Sequence, residues 1–136
     1  YNCNPASLKA SLEAVKNLSF QDLATKNDGH FRRIAVLGDM LELGSQERKF
    51  HRDIGKLESI NCFDVVHCVG TLVEDFYQDL PESKKGSIVK NPVDLMPHIL
   101  DDIRDRDVYI IKGSNSIGLS FIVAELCDLN GKKISR

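Results

Sequence analysis

Short, continuous apolar runs are the feature that most constrains the fold of this 136-residue chain. Three clear runs cover residues 34–37, 64–70 and 108–111, and a weaker run covers residues 87–89. A short apolar run without polar alternation is typical of a strand that is covered on both faces. Strands of this kind occur in parallel sheets that carry helices on both sides. We therefore predict a parallel sheet, with the weak run at its periphery.

The segments between these runs carry apolar residues at helical spacing. Asn4-Pro5 predicts the start of the first helix, because Asn is a favoured N-cap and Pro fits the first helical position. Residues 18–31 indicate a surface loop, and residues 130–136 a frayed tail. Strands that alternate with helices favour an α/β fold with right-handed crossovers. A last helix is predicted from about Ile117 to Leu129. In the four helices before it, the predicted inward-facing residues are Leu8, Leu12 and Val15; Phe50, Ile54, Leu57 and Ile60; Leu72, Val73, Phe76, Tyr77 and Leu80; and Leu95, Met96, Ile99, Leu100 and Ile103.

Composition narrows the classes of function. The length predicts a single domain, residues 1–136, and the 42% of hydrophobic and 28% of charged residues are ordinary for a globular protein. A net charge of −2 argues against a nucleic-acid surface. No apolar run approaches the ~20 residues of a membrane helix, so we expect no membrane insertion. The four cysteines form no CxxC pair, which argues against a metal site and fits a reducing cytoplasm.

Ligands of open parallel sheets bind beyond the carboxyl ends of the strands, which here are residues 38–44 and 112–116, together with residues 1–7. Gly113 would let the backbone approach a ligand, while Ser114 and Ser116 would cap the last helix. Free N–H groups at such a helix start attract anions, and Lys112 would add a positive charge. The alternative is a capped helix without a ligand.

Two carboxylates and a histidine follow the first predicted strand. Asp39 and Glu42 lie between Gly38 and Gly44, where they could meet a ribose, a cation or an amine, or Asp39 could simply cap a turn. His51 follows Phe50 on a predicted helix, at a position typical of a solvated side chain. The chain contains no GxxxxGK[ST], GxSxG or HExxH motif, so these residues alone indicate an α/β domain with an anion-attracting edge.

Four segments together resemble the MurF-type Mur ligases, the UDP-N-acetylmuramoyl-tripeptide–D-alanyl-D-alanine ligases. Residues 1–7, Tyr-Asn-Cys-Asn-Pro-Ala-Ser, resemble the family's Tyr-Asn-Ala-Asn-Pro-x-Ser signature, and residues 36–44, Val-Leu-Gly-Asp-Met-Leu-Glu-Leu-Gly, resemble its most recognisable stretch. His51 and Gly55 fall where the family has His-x-x-x-Gly. Residues 111–116 resemble its Val-Lys-Gly-Ser-x-Ser. These matches come in order and span nearly the whole chain.

The resemblance implies a Rossmann-like, three-layer αβα sandwich with a mostly parallel sheet and a truncated first strand. It implies the third, C-terminal domain of the ligase, with the N-terminal domain and the central ATP-binding domain absent from the chain. The full-length cytoplasmic enzyme would use ATP and magnesium to join D-alanyl-D-alanine to the UDP-MurNAc-peptide by way of an acyl phosphate. The isolated domain would be inactive and would bind no cofactor, since domain closure assembles such a site.

Site residues follow from the same resemblance. Asn2 and Asn4 would contribute to the ATP side of the cleft. D-alanyl-D-alanine would dock on Lys112, Gly113, Ser114 and Ser116, while Asp39, Glu42 and His51 would line the cleft. Two positions depart from the family pattern: Asn115 stands where many relatives have Arg, and Cys3 replaces a small Ala.

Two alternatives remain open. A receiver-like signalling domain would also place Asp39 and Lys112 at strand ends, although it would need an acidic pair and usually a Lys followed by Pro. Another amide ligase of the same superfamily, such as a muramyl ligase that adds one amino acid or a folylpolyglutamate synthase, would share the fold. Residues 38–44 argue against this second alternative.

Overall fold

The computed structural model describes residues 3–18 and 31–129. Within these ranges the strands are β1 (Arg33–Gly38), β2 (Val65–Val69), β3 (Lys85–Val89) and β4 (Val108–Lys112). The helices are α1 (Pro5–Lys16), α2 (Glu47–Ile54), α3 (Glu74–Tyr77), α4 (Pro92–Asp102) and α5 (Ser120–Leu129). Short 3-10 turns cover Gly44–Gln46, Glu58–Cys62, Glu82–Lys84 and Asn115–Ile117.

The four strands form one sheet in the order β3-β2-β1-β4, and every pair is parallel. The prediction of a parallel sheet is confirmed, with the weak run at one edge as expected. In this register Leu37 of β1 lies beside Cys68 of β2 and Lys112 of β4. The central strand and its two neighbours therefore end at the same edge of the sheet, here called the carboxyl edge.

Apolar side chains cover both faces of the sheet. On one face, Leu12 of α1, Ile54 of α2 and Phe76 of α3 pack on Leu37 and Val66. On the other face, the second cluster contains Leu95 and Ile99 of α4 and Ile122 of α5, packed on Val36 and Val69. The structure confirms the three-layer αβα arrangement. No helix in residues 3–18 or 31–129 has the length and apolar character that crossing a membrane requires.

Helix α1 begins where the sequence predicts. Asn4 is its N-cap, and its Oδ1 accepts the Ser7 N–H at 2.9 Å, while the Asn4 N–H donates to the Ser7 hydroxyl at 3.1 Å. Pro5 occupies the first turn. At the other end the guanidinium of Arg33 donates to the carbonyl oxygens of Val15, Lys16 and Leu18. Side chains therefore satisfy backbone groups at both ends of the helix.

Three predicted helices have different bounds in the structure. The helix expected to carry Leu72 and Leu80 covers only Glu74–Tyr77. The helix expected to carry Leu57 and Ile60 ends at Ile54, because Leu57 is extended (φ −69°, ψ 131°) and Ile60 lies in a 3-10 turn. The last helix begins at Ser120 and not near Ile117, because a 3-10 turn ends at Gly118 with a left-handed φ of 84°. Most of the predicted loop at 18–31, and the predicted frayed tail at 130–136, lie outside the described residues.

Candidate functional site at the carboxyl edge

The ends of β1 and β4 approach each other unusually closely. A Cβ on Gly113 would lie 3.0 Å from the Gly38 Cα and 2.7 Å from the Leu119 Cδ1. A Cβ on Gly38 would lie 2.9 Å from the same Leu119 atom. The two glycines thus let adjacent strand ends and Leu119 pack together. Gly113 thus has a packing role of its own, and the prediction that it lets the backbone approach a ligand stays a prediction.

Ser114 is buried, with 2% of its surface exposed. Its N–H donates to the Asp39 carbonyl oxygen at 2.9 Å, and its Oγ accepts the Leu41 N–H at 2.7 Å. The predicted capping of the last helix by Ser114 and Ser116 is wrong, because Ser114 makes no side-chain cap and α5 begins only at Ser120. Ser116 is exposed within the intervening turn. Ser114 therefore joins the β4 end to the loop after β1.

Asp39 is also buried beneath the edge, with 6% of its surface exposed. One carboxylate oxygen accepts the Thr71 N–H at 2.9 Å, and the other accepts the Val73 N–H at 3.0 Å. Asp39 thus caps the turn that leads into α3, which was the alternative role considered for it. The expectation that its side chain lines a cleft is corrected, since both oxygens face backbone donors inside the protein.

His51 is fully buried, with no exposed surface. Its Nε2 accepts the Met40 N–H at 2.9 Å, and its Nδ1 lies 2.6 Å from the Glu47 carbonyl oxygen. Only the tautomer with a proton on Nδ1 satisfies both contacts, because Nε2 must then be an acceptor. The prediction of a solvated, cleft-lining His51 is wrong: the ring lies under the loop and holds its backbone.

Residues 42 and 112 remain at the edge itself. Glu42 is exposed and has a left-handed backbone, with φ 63°. Lys112 is half-buried, and strand alternation places it on the α1 side of β4, like Ile110. Burial raises the pKa of the Cys3 thiol, while a hydrogen bond with Ser7 and then the charge of Lys112 oppose the rise.

A pocket of about 150 Å³ opens where β4 ends. It lies between Cys3, just before α1, on one side and α5 on the other, and one wall is the segment that links β4 to α5. Three of the predicted docking residues line it, Lys112, Gly113 and Ser114, and so do both residues that depart from the family pattern, Cys3 and Asn115. The polar lining residues are Cys3, Lys112, Gly113, Ser114, Asn115 and Ser120.

The edge has the chemistry of a binding wall. In residues 3–18 and 31–129 no group of three His, Cys, Asp or Glu side chains is placed to hold a metal ion. Asp39 and His51 contact backbone N–H groups and not a nucleophile. Lys112 lines the pocket and the exposed Glu42 lies in the neighbouring loop, so groups of both charges and several polar atoms lie at this edge.

Residues 1–115 match the family described as "Mur ligase, glutamate ligase domain". The chain belongs to this family. The match covers the ends of all three strands that form the carboxyl edge and every helix but the last. A receiver-like domain is therefore not supported, and the burial of Asp39 agrees, since both of its carboxylate oxygens are already engaged by backbone N–H groups.

Two curated relatives of this Mur ligase domain carry the same name. The chain is 29% identical over 124 residues to the UDP-N-acetylmuramoyl-tripeptide–D-alanyl-D-alanine ligase of Rickettsia prowazekii, covering 90% of this chain and 25% of that protein. It is 28% identical over 131 residues to the ligase of the same name from Bacillus subtilis, covering 94% and 27% respectively. The chain thus spans about a quarter of the length of these relatives.

Solved structures share the fold. The MurF ligase from Thermotoga maritima in complex with ADP superposes with a TM-score of 0.73 at 20% identity, over 98% of this chain and 28% of that chain. A MurF structure from Acinetobacter baumannii gives a TM-score of 0.71 at 20% identity, over 94% and 27% respectively. The predicted Rossmann-like fold of the Mur ligase domain is confirmed by these likenesses.

The predicted site residues of the Mur ligase domain are only partly brought together. Lys112, Gly113 and Ser114 line one pocket, and Cys3 brings the start of α1 to the same place. Asn4 is exposed there, with its side-chain oxygen engaged in the helix cap. Asn2 lies outside the described residues.

Sequence reasoning missed Gly70, which the site needs. A Cβ on Gly70 would come within 2.4 Å of the Asp39 carboxylate, and its φ of 125° disfavours any side chain. Its position at the carboxyl end of a predicted strand was a signal for this role. The backbone N–H groups of Met40 and Leu41 were also missed, because no side-chain pattern marks them.

Proposed function

We propose that this chain is the C-terminal domain of an ATP-dependent amide ligase that joins D-alanyl-D-alanine to UDP-MurNAc-tripeptide in peptidoglycan precursor synthesis. The observation that carries the proposal is the meeting of residues 38–44 and 112–116, the two stretches that resemble the MurF family, at one edge of the sheet. The shared name of the curated relatives supports the same activity.

The rest of the enzyme would lie in two further domains. A central domain would supply the phosphate-binding loop and the magnesium ligands, and an N-terminal domain would hold the UDP-linked substrate. The described residues do not fit a magnesium ion, since they contain no suitable cluster of ligands. ATP would supply the phosphoryl group that activates the acceptor carboxylate, and the T. maritima ligase, solved with ADP, supports nucleotide use.

The chain's own contribution would be to bind and orient the incoming dipeptide. A zwitterionic dipeptide needs a positive group for its carboxylate, and Lys112 lines the pocket at the β4 end. The Ser114 hydroxyl accepts the Leu41 N–H, and its own proton can still be donated to an anion. Gly113 and Ser116 flank this serine, and Glu42 projects from the neighbouring loop. Asn4, the N-cap of α1, and Asn2 would contribute to the ATP side.

We also propose a strand before residue 1 that pairs with β4. Helix α1 packs on the same face as α2 and α3. A right-handed crossover through α1 into β1 must then come from the β4 side of β1, since α2 leads to β2 on the other side. Among the described residues β4 has a strand partner on one side only. An added strand would complete the sheet that the resemblance implies.

The four cysteines of the chain are free thiols, which supports placing the enzyme in the reducing cytoplasm. The net charge of −2 supports small-molecule substrates over nucleic acid as partners.

Kinetics of the full-length protein test the dipeptide assignment. Lys112→Gln should raise the KM for D-alanyl-D-alanine by about tenfold or more, the effect of losing one charge-assisted hydrogen bond, while the KM for ATP changes less than about twofold. Ser83→Asp, on an exposed turn elsewhere, is the control and should leave both unchanged. Equal changes in both KM values would refute the assignment. Preference for a single amino acid over the dipeptide would favour another ligase of the superfamily.

A further inference from the structure

Three consecutive peptide groups at the carboxyl edge are each held by a different element. The N–H groups of residues 39–41 donate, in order, to the Val69 carbonyl oxygen at 3.1 Å, to Nε2 of His51 at 2.9 Å and to Oγ of Ser114 at 2.7 Å. These acceptors belong to β2, to α2 and to the segment after β4. The loop after β1 is thus fixed from three directions before it reaches the surface.

Of these three acceptors, His51 is the one that belongs to a helix. The ring is fully buried and receives no help from solvent in holding its orientation. Nδ1–H donates to the Glu47 carbonyl oxygen one turn earlier in α2, which leaves Nε2 unprotonated and aimed at the Met40 N–H. Met40 itself has no exposed surface. The contact therefore transmits the position of α2 directly to the loop backbone.

The residue that follows the held segment has an unfavourable backbone conformation. Glu42 has a φ of 63°, in the left-handed region that side-chain-bearing residues rarely adopt. Such a conformation persists only where the surroundings impose it. The three hydrogen bonds to residues 39–41 hold the backbone that leads directly into this conformation.

We propose that His51 is a positioning residue for the dipeptide side of the site. It fixes the Met40 peptide, and through it the placement of residues 41–42 against Ser114 and Lys112. The inference rests on the proposed function, because it assigns the pocket at Lys112 to D-alanyl-D-alanine. His51 acts through the loop and touches no substrate, so its loss weakens dipeptide binding more than ATP binding.

Two substitutions separate the two ring nitrogens in the full-length enzyme. Gln places an amide oxygen near the Nε2 position, so His51→Gln keeps an acceptor for the Met40 N–H. Asn places its amide near Nδ1, so His51→Asn keeps the contact with Glu47 and loses the one with Met40. We expect His51→Asn to raise the KM for D-alanyl-D-alanine by at least about tenfold, and His51→Gln by less than about threefold. The KM for ATP should change less than about twofold in both.

A merely structural histidine would give a different pattern. Equal losses in the two variants, or an unchanged dipeptide KM in a folded His51→Asn enzyme, would overturn the proposal. Thermal unfolding establishes that each variant is folded before its kinetics are compared.

Hydrogen exchange in the unmodified protein gives a second test that needs no variant. We expect the amides of residues 40 and 41 to be protected, although they lie outside any helix or strand. Exchange as fast as in an exposed loop would overturn the proposal, whether or not the variants fold. If the parent enzyme fails to use D-alanyl-D-alanine, the proposed function fails, while the exchange result still reports on the contact between His51 and Met40.

Discussion

The two ends of the sheet are held by polar side chains in different ways. At the amino end the Arg32 guanidinium donates to both carboxylate oxygens of Asp107, at 2.9 and 2.7 Å, and to Asp102 at 3.1 Å. At the carboxyl end Asp39 and His51 accept only backbone N–H groups. A pair of charged side chains joins two elements, whereas a contact from side chain to backbone fixes the coordinates of a loop. The comparison indicates that the ion pairs at the amino end stabilise the fold, whereas the contacts of Asp39 and His51 at the carboxyl end hold loops in position.

Removal of the Asp39 carboxylate should have the largest effect. Asp39→Ala leaves the buried N–H groups of Thr71 and Val73 without their acceptors, and we expect unfolding to become easier by about 4 kcal/mol. The same change should release the turn into α3, where Gly70 packs on the carboxylate. Urea unfolding at pH 7 measures the loss.

Asp79→Ala is the matched control, since it removes an exposed carboxylate from the same helical region. It should change the free energy of unfolding by less than about 0.5 kcal/mol. A loss for Asp39→Ala as small as that would break the comparison, because the carboxyl end would then not depend on its buried acceptor.

Acid should destabilise the middle of the sheet through His67. Burial lowers the pKa of His67 to about 4, with Asp102 raising it and His98 and Arg32 lowering it. Nδ1 accepts the Ser87 N–H at 2.9 Å, so the native ring is neutral with its proton on Nε2. The unfolded chain binds a proton near its ordinary pKa of about 6.5, whereas the folded chain resists it until pH 4. Stability should therefore fall as the pH drops from about 7 to 4, by up to about 3 kcal/mol.

His67→Asn isolates this effect from the carboxylates that also titrate. Its amide oxygen can take the place of Nδ1 and accept the Ser87 N–H, but it carries no proton equilibrium. Urea unfolding across pH 4–7 should show a flatter dependence for the variant than for the parent. Parallel curves would contradict the prediction and would show that the Asp102 carboxylate compensates a protonated His67.

Substitution of Arg32 tests directly whether the ion pairs at the amino end stabilise the fold. Asp107 raises the pKa of the Arg32 guanidinium, first through the hydrogen bonds and then through its charge. Arg32→Met leaves the Asp107 carboxylate, which is 3% exposed, without its main partner. We expect a loss of about 2 kcal/mol in the free energy of unfolding, and unchanged KM values in the full-length enzyme. A change in either KM would mean that the amino end also sets positions in the site.

The control is Arg48→Met, which removes a guanidinium from the more exposed pair with Asp75. It should cost less than about 0.5 kcal/mol. The difference between the two losses in the free energy of unfolding measures how much burial of the partner carboxylate strengthens the ion pair.

The sequence was sufficient wherever the determinant is local. The strand Ile34–Leu37 is continuous and apolar, and the cap at Asn4 involves residues three apart, so both could be predicted. The inward face of α2 could not be predicted, because Phe50 and His51 are neighbours and hydrophobicity alone turns Phe50 inward. In the structure His51 is the fully buried one and Phe50 is half-buried.

The role of Ser114 shows why the rest of the site could not be predicted. Its hydroxyl bonds to Leu41, which is 73 positions away along the chain. Nothing near Ser114 marks it as buried, and a serine before a helix favours a capping role. The contact exists only because parallel pairing places the ends of β1 and β4 side by side, so it follows from the assembled sheet.

Substitution of Asn4 should have the smallest effect on stability. It also tests most directly whether the carboxyl end differs from the amino end in what its polar contacts do. Asn4 lies at the carboxyl edge but holds a helix, as residues of the amino end do. Asn4→Ala removes the acceptor for the Ser7 N–H and should cost about 1 kcal/mol, whereas Asn4→Asp keeps the cap and should cost nearly nothing. If Asn4 also contacts ATP through its amide N–H₂ group, both variants should raise the KM for ATP in the full-length enzyme, because Asp lacks that donor. If only Asn4→Ala raises the KM for ATP, Asn4 acts on the enzyme through the helix cap alone. The carboxyl edge would then contain a residue that serves stability, beside those that fix the loop.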